Sequence, residues 1–319
     1  MRYKYLWFIA LIVALILAPL FLSSFLMVFL TEMLIMILFA ISFNLLFGYT
    51  GLLSFGHAAF FSIGSYVAGL VLLHIYPSIP LAFAIGVVAA TLAAWIIGFL
   101  CVRLDEIYFA MLTLAFGMMV HTIIWQWDRL TGGADGLVNI PRPDLNFFLF
   151  KVDLSSIASY YYFTLILVAI ALYVLWIIVN SNFGLALRAV RENSERLQFV
   201  GINVRRYRLI SFVISGFFCG LAGALFGPFL KSITPSIAFW TKSAEPVFMS
   251  LLGGTKIFLA PAVGSIIFMY LKEIISGYTE LWMIYLGAIL ICFVLFLPGG
   301  IVGFLYEKLK GRRLGGVVE

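Results

Sequence analysis

Charge is what this sequence has least of. Only 11% of its 319 residues are Asp, Glu, Lys or Arg, against about a quarter in an ordinary soluble domain. That shortage excludes a soluble globular enzyme and a charge-rich disordered chain. Cysteine is scarce as well. Cys101, Cys219 and Cys292 lie far apart with no CxxC spacing, which supports neither a zinc site nor a disulfide framework. Catalytic signatures are missing. There is no G-x-x-x-x-G-K-[ST] phosphate loop, no H-E-x-x-H and no G-x-S-x-G elbow. Gly253-Gly254-Thr255-Lys256 resembles the first only superficially, so no ATP hydrolysis is expected of this chain. Ser54 and His57 stand three apart, but without an orienting acid or an oxyanion hole they do not make a hydrolase.

What is present is apolar. Hydrophobic residues make up 64% of the chain. At about 20 residues per helical crossing they suffice for about ten crossings. The runs are continuous, whereas a transmembrane β-barrel would alternate apolar and polar. Apolar spans fall at 6–22, 26–47, 52–73, 81–100, 106–125, 159–179, 209–230, 245–257, 258–275 and 281–298. The eighth is too short to cross alone, and the third begins in the Gly-rich stretch 48–57. The expected fold is therefore an all-α polytopic membrane protein, residues 1–319 forming one transmembrane domain of eight to ten helices, some broken or re-entrant. Arg2 and Lys4 precede the first apolar run as in a secretory signal, but no A-x-A site follows and a second run comes almost at once. The run is expected to stay as an uncleaved helix.

The net charge of +6 lies in a few loops. Segment 181–208 holds Arg188, Arg191, Arg196, Arg205, Arg206 and Arg208 against two acids, and the tail 303–319 holds Lys308, Lys310, Arg312 and Arg313. The positive-inside rule places both segments and both termini in the cytoplasm and the 126–158 loop outside. It also explains the basic balance without nucleic acid.

Ionisable groups within apolar spans are expensive and mark candidate sites. Those singled out here are Glu32, His57, His121 and Glu245, with Asn44 and Thr113 as neutral companions. Glu32 follows Thr31 and reads as a helix-start or interfacial residue. His121 lies near the end of its span and faces water. His57 sits inside the Gly-rich break, where it suits the lining of a polar path together with Ser54 and Thr113. Glu245, ahead of Pro246, suits either a helix N-terminus or the wall of such a path. Residues 130–137, LTGGADGL, read as tight turns or as an external docking surface. In 189–201, AVRENSERLQFVG, Asn193 or Ser194 can cap a short helix and Gly201 can end it. Its face of Leu197, Phe199 and Val200 suits a lipid surface or a groove in a partner protein.

These motifs together resemble the permeases of branched-chain amino acid ABC transporters, of the LivM type. The likeness covers nearly the whole chain: GYTGLLSFGHAAFFSIGSYVAGL at 48–70, LTLAFGMMV at 112–120, LTGGADGL at 130–137, SNFGLALRAVRENSERLQFVGINVRRYRL at 181–209, SGFFCGLAGAL at 215–225, and Ser243-Ala244-Glu245 through Gly253-Gly254. The resemblance implies a subunit of the bacterial or archaeal plasma (inner) membrane, with no enzyme activity or cofactor of its own. Its implied partners are a second permease of the LivH type, two ATPase subunits that bind the ATP, and an extracytoplasmic solute-binding protein. It implies that 189–201 is the coupling helix, with Glu192, Glu195 and Gly201 as coupling residues and Leu197 and Val200 as apolar contacts. The solute would be leucine, isoleucine or valine, or else urea, a short amide or another amino acid. A lone ion-coupled transporter would need more paired carboxylates than these spans hold. Where the family continues its second Gly-Gly with a further glycine and a Gly-Pro pair, Lys256 and Ala260-Pro261 stand here. A turn with positive φ at Lys256 would cost about 1 kcal/mol or more.

Overall fold

The computed structural model describes residues 15–305, apart from 20, 105, 148, 149 and 298, together with residue 308. Most of the expected first span, 6–22, and most of the basic tail lie outside the described residues.

The first complete helix, α1 (Ser24–Asn44), starts where the Ser23 side chain accepts a hydrogen bond from Leu26 N. From Met33 onward it is buried on every face, so it runs through the middle of the bundle. It does not stop at Gly48. Residues Leu45–Thr50 continue as a wider π-helical turn, with the Thr50 hydroxyl donating to the Leu45 carbonyl at 3.1 Å. The chain leaves the helix at Gly51, φ 82°, a left-handed conformation that glycine adopts without strain. The true break is therefore 51–56, and α2 (His57–Leu70) follows.

Helices α3 (Ile79–Cys101) and α4 (Glu106–Gln126) come next. The 126–158 loop holds two helical turns and a three-residue-per-strand hairpin, β1 (Leu145–Phe147) with β2 (Phe150–Val152). Sequence patterning did not anticipate the hairpin. Then follow α5 (Ile157–Asn180), α6 (Asn182–Glu192), α7 (Ser194–Phe199), α8 (Val204–Leu230), α9 (Trp240–Gly253), α10 (Ala260–Tyr278) and α11 (Trp282–Phe296).

Helices α1, α2, α3 and α8 form the core. Small residues let their backbones approach closely. Gly64 of α2 faces the Gly220 backbone of α8, and a Cβ at Gly223 would meet the Phe61 carbonyl. The outer helices are barely covered: only 28% of the apolar stretch of α5 and 12% of that of Trp282–Leu305, which α11 opens, is buried. Large apolar side chains exposed there include Ile170, Tyr173, Trp176, Met283, Leu295 and Phe296, as a lipid-facing surface requires.

Eight helical segments among the described residues are long and apolar enough to cross a membrane. The expected eighth span begins earlier than its apolar run, at Trp240, and has 14 residues. It is too short to count among those eight. Even so, α9 leads from the level of His121, whose ring stands 5.2 Å from that of Phe239, down to the turn where the Thr255 carbonyl accepts from Asn44 Nδ2 at 3.4 Å. That turn carries positive φ at Gly254 but not at Lys256, so lysine fits there without strain.

Contacts define two ends of the bundle. One holds Arg188 and Arg191 of α6 against Gly48 and Tyr49. The other holds the 126–158 loop, fastened by the Leu137–Ile233 bridge and by Arg142 donating to the Pro228 and Phe229 carbonyls.

Candidate transport and coupling sites

Gly51 N and Leu52 N both donate to the Leu46 carbonyl and so close the π-helical turn, but the amides of Phe55 and Gly56 must find partners elsewhere. Thr113 of α4 supplies one. Its hydroxyl donates to the Ala110 carbonyl at 2.9 Å and accepts from Phe55 N at 3.3 Å. The Ser54 hydroxyl accepts from Gly56 N at 3.3 Å, and Gly56 lies directly against the Thr113 carbonyl. Ala58 N, one of the free donors of the first turn of α2, donates to Ser243 Oγ of α9 at 2.8 Å.

His57 is fully enclosed. Its Nε2 lies 2.8 Å from Ser215 Oγ, which itself lies 2.6 Å from the Ser42 carbonyl. That carbonyl can only accept, so Ser215 donates to it and His57 donates to Ser215. The hydrogen is therefore assigned to Nε2. Nδ1 is left buried and without a partner. The rings of Phe43, Phe60 and Phe212 close around the imidazole, with centroids 5.0 to 6.0 Å away. Ser54, His57 and Thr113 thus gather around the break, and all three are closed off from solvent in this conformation. Ser42, Ser215 and Ser243, which join them, escaped notice as polar residues in the sequence. Their signal was a lone hydroxyl on an otherwise apolar or small-residue helix face.

Glu245 sits apart from that group. Helix α9 turns Ser243 toward α2 and Glu245 toward α1 and α10. There Glu245 pairs with Lys242 at 2.6 Å and with Lys272 at 3.0 Å. Lys242 also lies 3.7 Å from Met36 Sδ and over the rings of Phe61 and Phe226. Glu32 also lies near the two lysines but bonds to neither. It is no helix-start residue, because α1 begins eight residues earlier, at Ser24. Neither lysine had been singled out from the sequence, although Leu271-Lys272-Glu273 interrupts an apolar span and Lys242–Glu245 has helical i,i+3 spacing.

At the Arg191 end, Ser181 caps α6, which buries Gly184, Leu187 and Val190. Asn193 then caps α7 by accepting from Arg196 N at 2.9 Å. Gly201, φ 87°, ends it, with Gly201 N donating to Gln198 O and Ile202 N to Leu197 O, both at 3.0 Å. Between these caps Phe199 is 91% exposed and Val200 78%. Leu197 is half-buried, and Glu192 and Glu195 are exposed. The tip of α7 is an apolar knob flanked by two acids. Behind it, Arg188 lies over the Tyr49 ring at 5.2 Å, and Arg191 donates to the Gly48 carbonyl.

A helical bundle of apolar spans, broken beside a polar cluster and carrying a capped, protruding helix at one end, is the architecture that the sequence motifs imply. The family model described as branched-chain amino acid transport system / permease component matches residues 25–294. The chain belongs to this family. Among its relatives is the high-affinity branched-chain amino acid transport system permease protein LivM of Escherichia coli K12, 30% identical over 291 residues that cover 84% of this chain and 67% of LivM. The probable branched-chain amino acid transport permease protein LivH of Methanocaldococcus jannaschii is 29% identical over 82% of this chain and 86% of its own length. The guanosine ABC transporter permease protein NupP of Bacillus subtilis is 37% identical over 93 residues, 28% of this chain and 26% of NupP. No solved structure matches. As a member of this permease family, the chain is a transport subunit and a multi-pass membrane protein.

Proposed function

We propose that this chain is one of two permease subunits of a binding-protein-dependent ABC importer that carries leucine, isoleucine and valine inward. A LivH-type partner completes the membrane domain. Two ATPase subunits bind the ATP on the cytoplasmic side, and a solute-binding protein delivers the amino acid to the hairpin side. The Arg-rich segment and both termini face the cytoplasm.

The observation that carries this reading is the link from α7 to the broken helix. The exposed knob of Phe199 and Val200, between Glu192 and Glu195, suits a groove in an ATPase subunit. Helix α6 follows α7, and Arg188 and Arg191 transmit its displacement to Gly48 and Tyr49. The next flexible element is 51–56. A shift there reaches the Thr113 clamp and the His57–Ser215–Ser42 chain. Inward- and outward-facing states then differ in how this segment seats, and ATP binding by the partner biases them through differential docking at α7. Ser54, His57 and Thr113, closed off here, come to the wall of the path when the segment moves. Glu245 is the charged wall residue on the other face of α9.

The test is charge reversal at Glu192 and Glu195, or Gly201→Pro, in the reconstituted transporter. The variants should insert normally and keep basal ATP hydrolysis while losing ATP-driven uptake. Uptake at the wild-type rate would refute the assignment of α7.

A further inference from the structure

A cleft of about 360 Å3 opens at the Arg191 end, lined by Gly48, Tyr49, Arg188, Arg191, Glu192 and Lys256. Three cations and one acid give it a formal charge of +2. This contrasts with Lys242 and Lys272, both of which are paired with Glu245. Among the described residues no salt bridge joins the cations of the cleft to any carboxylate, Glu192 included. Arg188 and Arg191 approach from one face of α6, one helical turn apart. Lys256 approaches from the α9–α10 turn across the opening, and it is exposed.

The depth of the cleft narrows what it can hold. Ser24–Thr50 is 27 residues long, about 40 Å at 1.5 Å per residue. That is the thickness of a bilayer with its headgroups. Gly48 and Tyr49, near the end of that helix, therefore sit at headgroup level. Uncompensated cations between helix ends at that level suit a phosphate group, which guanidinium forks bind in bidentate fashion and lysine as a point charge.

We propose that this cleft binds a phosphate group, held by Arg188 and Lys256 with the free side of the Arg191 guanidinium, and that its principal source is the headgroup of an anionic phospholipid. Because Arg191 also holds the Gly48 carbonyl, occupancy fixes α6 against the end of α1. The site does not depend on the transport reading, since binding is measured without ATP or solute.

The experiment places the purified transporter in nanodiscs of phosphatidylcholine containing a tenth part of phosphatidylglycerol and counts retained phosphatidylglycerol by native mass spectrometry. Wild type and Lys256→Arg should keep one more molecule per chain than Arg188→Gln/Lys256→Gln. Lys256→Arg separates loss of charge from loss of fold. In a second arm, radiolabelled inorganic phosphate is dialysed against the transporter in phosphatidylcholine alone. Saturable binding that only the double variant loses, with no difference in retained lipid, would keep the phosphate site and give it a soluble source. Equal lipid retention and equal phosphate binding in wild type and the double variant would overturn the proposal.

Discussion

Arg191 donates a hydrogen bond to the main-chain carbonyl of Gly48, 143 residues away in sequence. The bond joins the segment that carries the exposed α7 knob to the last turn before the chain breaks at Gly51.

Arg191→Gln should therefore separate the two halves of the cycle. A hydrogen bond from a charged donor is worth about 1.5–3 kcal/mol, which corresponds to roughly ten- to a hundredfold in a conformational equilibrium. Solute moved per ATP hydrolysed should fall by at least about tenfold in proteoliposomes, with basal hydrolysis retained. Arg191→Lys should recover part of the loss. An unchanged ratio would show that the bond is incidental.

Glu245→Gln removes the carboxylate that bonds both Lys242 and Lys272 and leaves only the unbonded Glu32 near them. Breaking a buried ion pair costs about 3–5 kcal/mol. The figure here should fall at or below the low end, because the Lys272 side chain is 34% exposed and solvent screens it. The melting midpoint in detergent should drop by several degrees. Adding Lys242→Met should restore part of it by removing the more enclosed unpaired charge. No drop in the single variant would show that the triad contributes nothing to folding.

Ser215→Ala removes the hydroxyl between His57 Nε2 and the Ser42 carbonyl. His57 Nε2 then lies buried and unsatisfied, at about 1–3 kcal/mol, and the Ser42 carbonyl loses its side-chain donor. Thermal unfolding should show a larger loss than Ser276→Ala, whose hydroxyl is exposed and bonds within its own helix. Equal losses would place the stability of this region in its aromatic packing instead.

Orientation is open to chemical labelling. A cysteine at Ser194 in α7 should react with a membrane-impermeant maleimide only in inside-out vesicles, and one at Asp144 only in right-side-out vesicles. The reverse pattern would invert the topology.

What the sequence made legible was local. The caps of α7 at Asn193 and Gly201 could be read because capping depends on residues within one turn. The positions of most spans could be read because continuous apolar runs of helical length have few other uses. The π-helical turn at 45–50 was not legible. It depends on contacts of Gly48 with Asn44, Thr255 and Arg191, two of them far away in sequence. Lys272 was missed because its partner is 27 residues distant, and averaging over a window submerges one charge in an apolar span. The start of α9 was placed five residues late for a related reason: Trp240-Thr241-Lys242-Ser243-Ala244 looks like a polar lead-in until α1 and α2 supply its neighbours.

The central claim is that this chain passes branched-chain amino acids through the membrane under the control of partner ATPases. Uptake of labelled leucine into proteoliposomes holding the chain with its copurifying partners tests it most directly, with and without ATP and the binding protein. Uptake should require both and be competed by isoleucine and valine but not by urea. Uptake that ignores ATP and follows an ion gradient would contradict it.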